Sequence, residues 1–442
     1  MSFAKILSET KNGEKICACA GTISTREGTA TDIYNNRNNK EKNLQLVDKV
    51  ISSGHKTIIE HHYFNIAFEN VSVFFEQFLI EFRLGAYTIK SRRYVNFSKA
   101  GYNLPKDLSE KNKKIMTEHI EDMFSVYDKL VADGVAVEDA RFVLPYAFAS
   151  NIYASFNTRE LIYLISNMIY GRGKHFIEIF NLGMQLKEQL EERYPNIVDK
   201  EKHNYKDYKL NLIDYPSANK ITFETADTNI LQGISDSESI FKKCEQLLGV
   251  KTFDIKQAKT DSKIARILEQ FNFTIEFKNL TLSTLTHLVR HRIQSIIVPY
   301  LQTFPYSYNF VMPPKISENE QLKELYTNAI KRNREVFEKL RKANCTSEQL
   351  IYITLSGTTV NVISTINARE LAHMFRLRTC MRAQWEIRDL MRDLLKKLCN
   401  LNPILFSKMG ASCFVDGACP EGKFCCGKMV EMKQLFEKLT KC

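Results

Sequence analysis

One tryptophan, Trp385, is all that this chain of 442 residues carries. Nor does it contain anything close to the roughly 18 uninterrupted apolar residues of a membrane span. At 44% hydrophobic and 26% charged it has the composition of an ordinary soluble protein, long enough for two or more cores. The stretch "MSFAKILSETKNGEKICACA" has a polar interruption where a secretory signal would be apolar, so a cytoplasmic location is expected. A basic tail is missing too. The excess of Lys and Arg over Asp and Glu, 62 against 51, is dispersed along the chain. That pattern suits small anionic ligands and makes nucleic acid an unlikely partner. Eleven cysteines, an odd number, argue against a disulfide framework. Cys413, Cys419, Cys425, Cys426 and Cys442 cluster near the end, but "CFVDGACPEGKFCCGK" lacks the Cys-x2-Cys spacing of zinc ribbons. Free thiols and no metal centre are expected, and His61 and His62 have no further ligands spaced to support a metal.

What the chain does have is a second copy of itself. "FNIAFENVS" (64–72) returns as "FTIEFKNLT" (273–281), an offset of 209. Each alternates apolar and polar residues as a half-buried strand does, then reaches a Ser or Thr able to cap an amphipathic run over 72–83 or 281–292. The same offset lays "EFRLGA" (81–86) on "RHRIQS" (290–295). "FNTRELIYLISNM" (156–168) matches "INARELAHMFRLR" (366–378) at 210, each opening a long helix towards about 192 and about 398. Agreement at three places in the same order marks an internal duplication. The expected fold class is α+β, each unit a small, mostly antiparallel sheet packed with long helices. Residues 1–205 form the first unit, 206–245 a polar linker region, 246–408 the second unit and 409–442 a cysteine-rich tail.

"RHRIQS" with "NARELAHMFRLRTCMRAQWEIR", and "GHKTIIEHHYF" followed by "SRRY", resemble the flavin-dependent thymidylate synthase family, ThyX. Its signature is Arg-His-Arg, two residues, Ser, four residues, then Ser-x-Arg. The two copies depart from it in opposite ways. Arg290, His291, Arg292 and Ser295 keep the start, while Tyr300 and Gln302 replace its end. In the first copy Glu81, Phe82 and Ala86 replace the start, while Ser91, Arg93 and Tyr94 keep the end. "ARFVLP" supplies Arg141, where the second copy has "IYITL". Arg378 stands where the first copy has Met168.

The resemblance implies roles. Ser91, Arg93, Tyr94 and Arg141 would bind dUMP, and Arg378 would bind its ring and act as the catalytic residue. His55, Thr57, Arg290, His291, Arg292, Ser295, Asn367, Arg369 and His373 would hold FAD. Methylenetetrahydrofolate and NADPH would be co-substrates, with the product dTMP. The family builds its sites between subunits of a homotetramer. A duplicated chain would therefore form a homodimer, a pseudo-tetramer with composite sites drawn from both halves. The residue types agree with this. Guanidinium offers phosphate a planar fork of donors, and an arginine beside a uracil stabilises negative charge on the ring. Taken singly, Arg290 and Arg292 could simply complement a helix C-terminus, and Trp385 suits a core; the joint agreement favours the site. Three classes stay open: an active synthase, a diverged flavin- or nucleotide-binding homologue without that activity, and a nucleic-acid-binding protein. Flavin absorbance, dUMP methylation and salt-dependent nucleic-acid binding separate them.

Overall fold

The structure is a computed structural model that describes residues 2–213, 220–250, 258 and 260–441. Residues 214–219 of the expected linker and Cys442 of the tail lie outside the described residues. In the first repeat the principal elements are β1 (Phe3–Glu9), α1 (Gly13–Ile23), β2 (Tyr63–Ser72), α2 (Val73–Ile80), β3 (Ala86–Ile89), α3 (Glu110–Ala132), β4 (Ala149–Asn157), α4 (Thr158–Ile169) and α5 (Ile177–Glu191). The second gives β5 (Asp227–Gln232), β6 (Asn272–Thr281), α6 (Leu282–Leu288), β7 (Gln294–Ile297), α7 (Glu320–Lys342), β8 (Thr359–Asn367), α8 (Ala368–Arg378) and α9 (Trp385–Leu401), followed by α10 (Met429–Leu439). The strands make two antiparallel four-stranded sheets of the same order, β1-β2-β4-β3 and β5-β6-β8-β7. The fold is α+β, and the duplication reaches its details.

Both copies carry the same bulge. Asn70 and Asn279 take left-handed φ values of 51° and 53°, a conformation Asn tolerates because its side chain bonds locally. Their backbone N–H groups donate to Asn151 Oδ1 and Asn361 Oδ1 at 3.0 and 2.9 Å. Ser72 and Thr281 then cap α2 and α6, and buried Glu178 and Glu386 accept the Ser72 and Thr281 N–H groups at 2.9 Å. Such carboxylates satisfy donors that a helix start leaves without partners.

Four expectations change. The runs 72–83 and 281–292 are helical only to Ile80 and Leu288, so Arg290, His291 and Arg292 lie in the turn leading to β7. The long stretches after 156 and 366 are each two helices. The first breaks where Gly173 sits too close to Met168 and Ile179 for any Cβ, the second where Gln384 caps α9. Part of the supposed linker is structured, since β5 is the edge strand of the second sheet. Its burial is confined to Thr228, and a strand buried at one position shows no periodicity. Trp385 is half-buried at the start of α9, not in the core.

By packing, the chain divides into two compact units that cut across the repeats. One comprises Met1–Ser217, Leu301–Tyr306 and Pro313–Ser356; the other Ala218–Tyr300, Ser307–Met312 and Gly357–Cys442. The first therefore holds α7 of the second repeat beside α3 of the first. Arg332 donates to Asp122 at 2.8 Å and Asn333 to His119 Nε2 at 2.9 Å. In the same unit Pro145 bridges antiparallel to Leu355, its own counterpart 210 residues on. A residue paired with its own copy marks a local pseudo-twofold axis, as in an isologous dimer. Among the described residues, no helix is long and apolar enough to cross a membrane.

Candidate active site

The second unit carries a histidine–arginine corner. The turn after α6 throws Arg290 and Arg292 outward and buries His291, which is 5% exposed. Glu370 and Arg378, both on α8, meet the two sides of its ring: Nδ1 lies 3.0 Å from Glu370 Oε1, and Arg378 Nε donates to Nε2 at 3.0 Å. Because arginine can only donate, Nε2 carries no proton, so Nδ1–H donates to Glu370. Burial, opposed by the Glu370 hydrogen bond and aided by Arg378, lowers the His291 pKa, keeping the ring neutral. Arg378 also donates to the His287 carbonyl at 3.4 Å. His373, one turn beyond Glu370, packs edge-on to His291 with ring centroids 5.8 Å apart. His291, Glu370 and His373 place ligand atoms within 4.8 Å of one another, a spacing a metal could take. The Arg378 guanidinium on His291 opposes a cation there.

Along the same helix runs a cleft of about 320 Å³ lined by Arg369, Ala372, His373, Arg376, Lys408 and Met409 among others. Two of its cations are paired, Arg369 with Glu269 and Arg376 with Asp416. Its basic lining fits a phosphate-bearing cofactor. Asn367 caps α8, accepting the Glu370 N–H at 2.9 Å. Ser295 is exposed on β7, opposite Thr365. His55 and Thr57 are exposed at the short helix Lys56–His61 of the first unit, a different compact unit from the other flavin-side residues.

The first unit carries an arginine cluster. Ser91, Arg92, Arg93 and Tyr94 follow β3. Arg93 donates to Glu138 Oε2 at 2.6 Å, takes Ser91 Oγ onto its backbone N–H at 3.3 Å, and lies 5.3 Å from the exposed Tyr94 ring. Arg141, 3% exposed, donates from Nε to the Glu138 carbonyl at 3.0 Å. Its Nη2 is buried and, among the described residues, has no hydrogen-bond partner. Burial, with Arg92 and Arg93 close by, drives its pKa down to about 9. Buried Arg92 pairs with Glu76 at 2.6 Å and leaves Nη1 equally orphaned. An unpaired buried donor on a charged group is costly. Three guanidiniums stand against three carboxylates, Glu76, Glu138 and Asp139, and the orphan donors of Arg92 and Arg141 are what an anion could take up.

Each copy has lost what the other keeps, and the geometry shows how. Where Arg93 meets Glu138, the second copy has Gln302 meeting Glu348 at 3.2 Å: the acceptor stays and the charge is gone. Where His291 meets His373, the first copy has Phe82 against Tyr163 at 5.6 Å, with Met168 for Arg378. Arg172 covers this apolar corner, ion-paired with Glu81 and stacked on Phe78 and Phe82 at 4.7 and 5.2 Å. Sequence reasoning missed Arg92, Glu76, Glu138 and Glu370. Glu138 and Glu370 recur as Glu348 and Glu160, and that recurrence was the available signal.

Fold and clusters define an α+β duplication with an arginine cluster in one copy and a histidine–arginine corner in the other. A family model described as "Thymidylate synthase complementing protein" matches residues 5–196 and again 212–404. The flavin-dependent thymidylate synthase of Geobacter sulfurreducens is 32% identical over 177 residues, spanning 39% of this chain and 76% of its own length. That of Clostridium tetani is 30% identical over 188 residues, 38% of this chain and 74% of its own. A solved structure, the UMP/dUMP methylase PolB from Streptomyces cacaoi bound with 5-Br dUMP, aligns over 46% of this chain and 95% of its own, at 19% identity and a TM-score of 0.38. The chain belongs to the thymidylate synthase complementing protein family, whose matched relatives here are flavin-dependent thymidylate synthases.

Proposed function

We propose that the chain methylates dUMP to dTMP, with methylenetetrahydrofolate as carbon donor and FAD reduced by NADPH, in composite sites that draw on both repeats. The complementary retention of groups carries this reading. One copy keeps buried arginines for a phosphate, the other keeps the neutral His291 and Arg378, and neither keeps both.

Arg93, Arg141 and Ser91 would bind the dUMP phosphate, which would occupy the orphaned Arg141 and Arg92 donors. Arg378 would face the uracil and stabilise negative charge on its oxygens. Its own position is fixed by His291 Nε2 and the His287 carbonyl, and His291 is fixed in turn by Glu370. Glu370 is thus a positioning residue that sets the tautomer of His291. FAD would lie along Arg369 and His373, with Arg290, Arg292, Ser295, Asn367, His55 and Thr57 assigned to it by resemblance. Once bound and reduced, it supplies the hydride that completes the methyl group.

The test is the visible absorbance of the purified protein titrated with dUMP, followed by a methylation assay. A flavin band that shifts with dUMP, and labelled dTMP, are the expected results. A bound flavin without dTMP formation would mark a diverged binding homologue. A colourless protein that takes up no FAD would overturn the reading altogether.

A further inference from the structure

The cleft along α8 is lined from two places in the chain. Arg369, His373 and Arg376 come from α8 itself, and Lys408, Met409, Gly410 and Val415 from the segment after α9. Those last four residues lie beyond both family matches, which end at residue 404.

The later segment is firmly built. Phe406, Met409 and Ala411 are buried around the exposed Lys408. A Cβ on Gly410 would fall 2.8 Å from the Phe436 ring and 3.0 Å from that of Phe414, so the backbone passes hard against both. Phe414 stacks on Phe436 with centroids 5.2 Å apart. Phe436 and Met432 form the buried face of α10, and Arg392 of α9 donates to Met432 Sδ at 3.6 Å. Arg376 then donates to Asp416 Oδ2 at 2.6 Å. Residues 406–416 are thereby fastened to both α8 and α10, and the backbone that carries Lys408 is fixed beside the cleft.

Charge singles out Lys408. Of the arginines and lysine that line the cleft, Arg369 is engaged by Glu269 and Arg376 by Asp416. Lys408, among the described residues, has neither a hydrogen bond nor an ion pair. A phosphate that reaches either arginine must displace a carboxylate. One that reaches Lys408 displaces only water, and with both arginines neutralised Lys408 supplies the surplus positive charge. Most surface lysines are merely solvated; this one stands on a fixed backbone at the edge of a concave site.

We propose that Lys408 is a cofactor-binding residue whose ammonium meets a phosphate of the flavin dinucleotide, and that the segment after α9 is therefore part of the cofactor site. The assignment rests on the reading that this chain binds FAD along α8. A lysine serves a phosphate as a point charge, so charge at position 408 matters and the shape of its donor does not.

The test titrates FAD into the flavin-free full chain and follows the quenching of flavin fluorescence. Lys408→Ala should weaken binding by about tenfold, and Lys408→Arg should stay within about twofold of the unsubstituted chain. Lys438→Ala removes the same charge from the exposed side of α10 and should leave binding unchanged. Affinity should fall with added salt, less steeply in Lys408→Ala. Thermal unfolding should be the same in all of these variants, because position 408 is exposed. An unsubstituted chain that binds FAD, with Lys408→Ala equal to it in affinity and salt response, overturns the role of Lys408 and leaves the proposed function standing. Equal losses in Lys408→Ala and Lys408→Arg would also overturn it, since the charge would then not be what acts. An unsubstituted chain that takes up no FAD overturns the proposed function and this assignment with it.

Discussion

Arg93 and Gln302 occupy equivalent positions, each meeting a glutamate that both copies preserve, and the difference between them is one formal charge. A guanidinium that leaves Glu138 for a phosphate exchanges one charge-assisted pair for another, whereas the Gln302 amide offers only a neutral donor. Charge-assisted bonds contribute about 1.5–3 kcal/mol. Arg93→Ala and Arg141→Ala should therefore each weaken dUMP binding by roughly 10- to 100-fold in a calorimetric titration. Gln302→Ala and Ile351→Ala should change it by no more than about twofold; equal losses in both copies would end the idea of divided labour. Arg378→Ala should remove turnover while the flavin absorbance persists, and turnover that survives would place ring activation elsewhere. These arginines were legible because the other copy lacks them. Glu138 and Glu370 were not, because a comparison of differences hides what both copies share. Arg92 stayed hidden for another reason: a turn sends adjacent side chains to different places, and sequence does not say which goes inward.

Periodicity placed β2 and β6 well, but misjudged where helices stop. The runs beyond Ile80 and Leu288 keep an apolar rhythm that the turn to β3 or β7 interrupts, and a backbone break at Gly173 leaves no trace in hydrophobic spacing. The pairing of α3 with α7 was also invisible, since each reads alone as an amphipathic helix with a face to bury. That pairing encloses His119, 4% exposed, whose Nε2 accepts from Asn333. Burial pushes its pKa down to about 4, against a smaller opposing pull from Asp122, with Arg334 and Arg332 lowering it further. In the unfolded chain an ordinary histidine takes its proton near 6.5. The unfolded state thus binds the extra proton first as pH falls. The stabilising contribution is complete above about pH 6.5 and is lost progressively towards pH 4, at most roughly 3 kcal/mol. His62 and His291 are shifted in the same direction by burial. Urea unfolding midpoints should decline from pH 7 to pH 5. His119→Gln, which keeps an acceptor for Asn333, should make that decline shallower; an unchanged slope would show that His119 does not titrate with folding.

At the scale of the whole molecule, the pairing of Pro145 with Leu355, its own counterpart, says that one chain already contains the twofold contact that two single-repeat chains would make. Two such chains then correspond to a tetramer of repeats, and the sorted losses fit an assembly in which each working site takes its arginine cluster from one repeat and its histidine–arginine corner from the other. If those halves come from different chains, defects in them must complement. An Arg93→Ala chain mixed with an Arg378→Ala chain, dissociated and reassembled, would form mixed dimers holding one site with both defects and one with neither. With random pairing about half of the dimers are mixed, so synthase activity should return to about a quarter of the unsubstituted level, from two inactive parents. Recovery near that level, rising with the mixed-dimer fraction measured by native mass spectrometry, is the expected outcome. Mixed dimers that form and stay inactive would instead assign both halves of each site to a single chain. The duplication would then have made a self-sufficient enzyme, in which fusing the repeats relieved each of the need to keep a whole site.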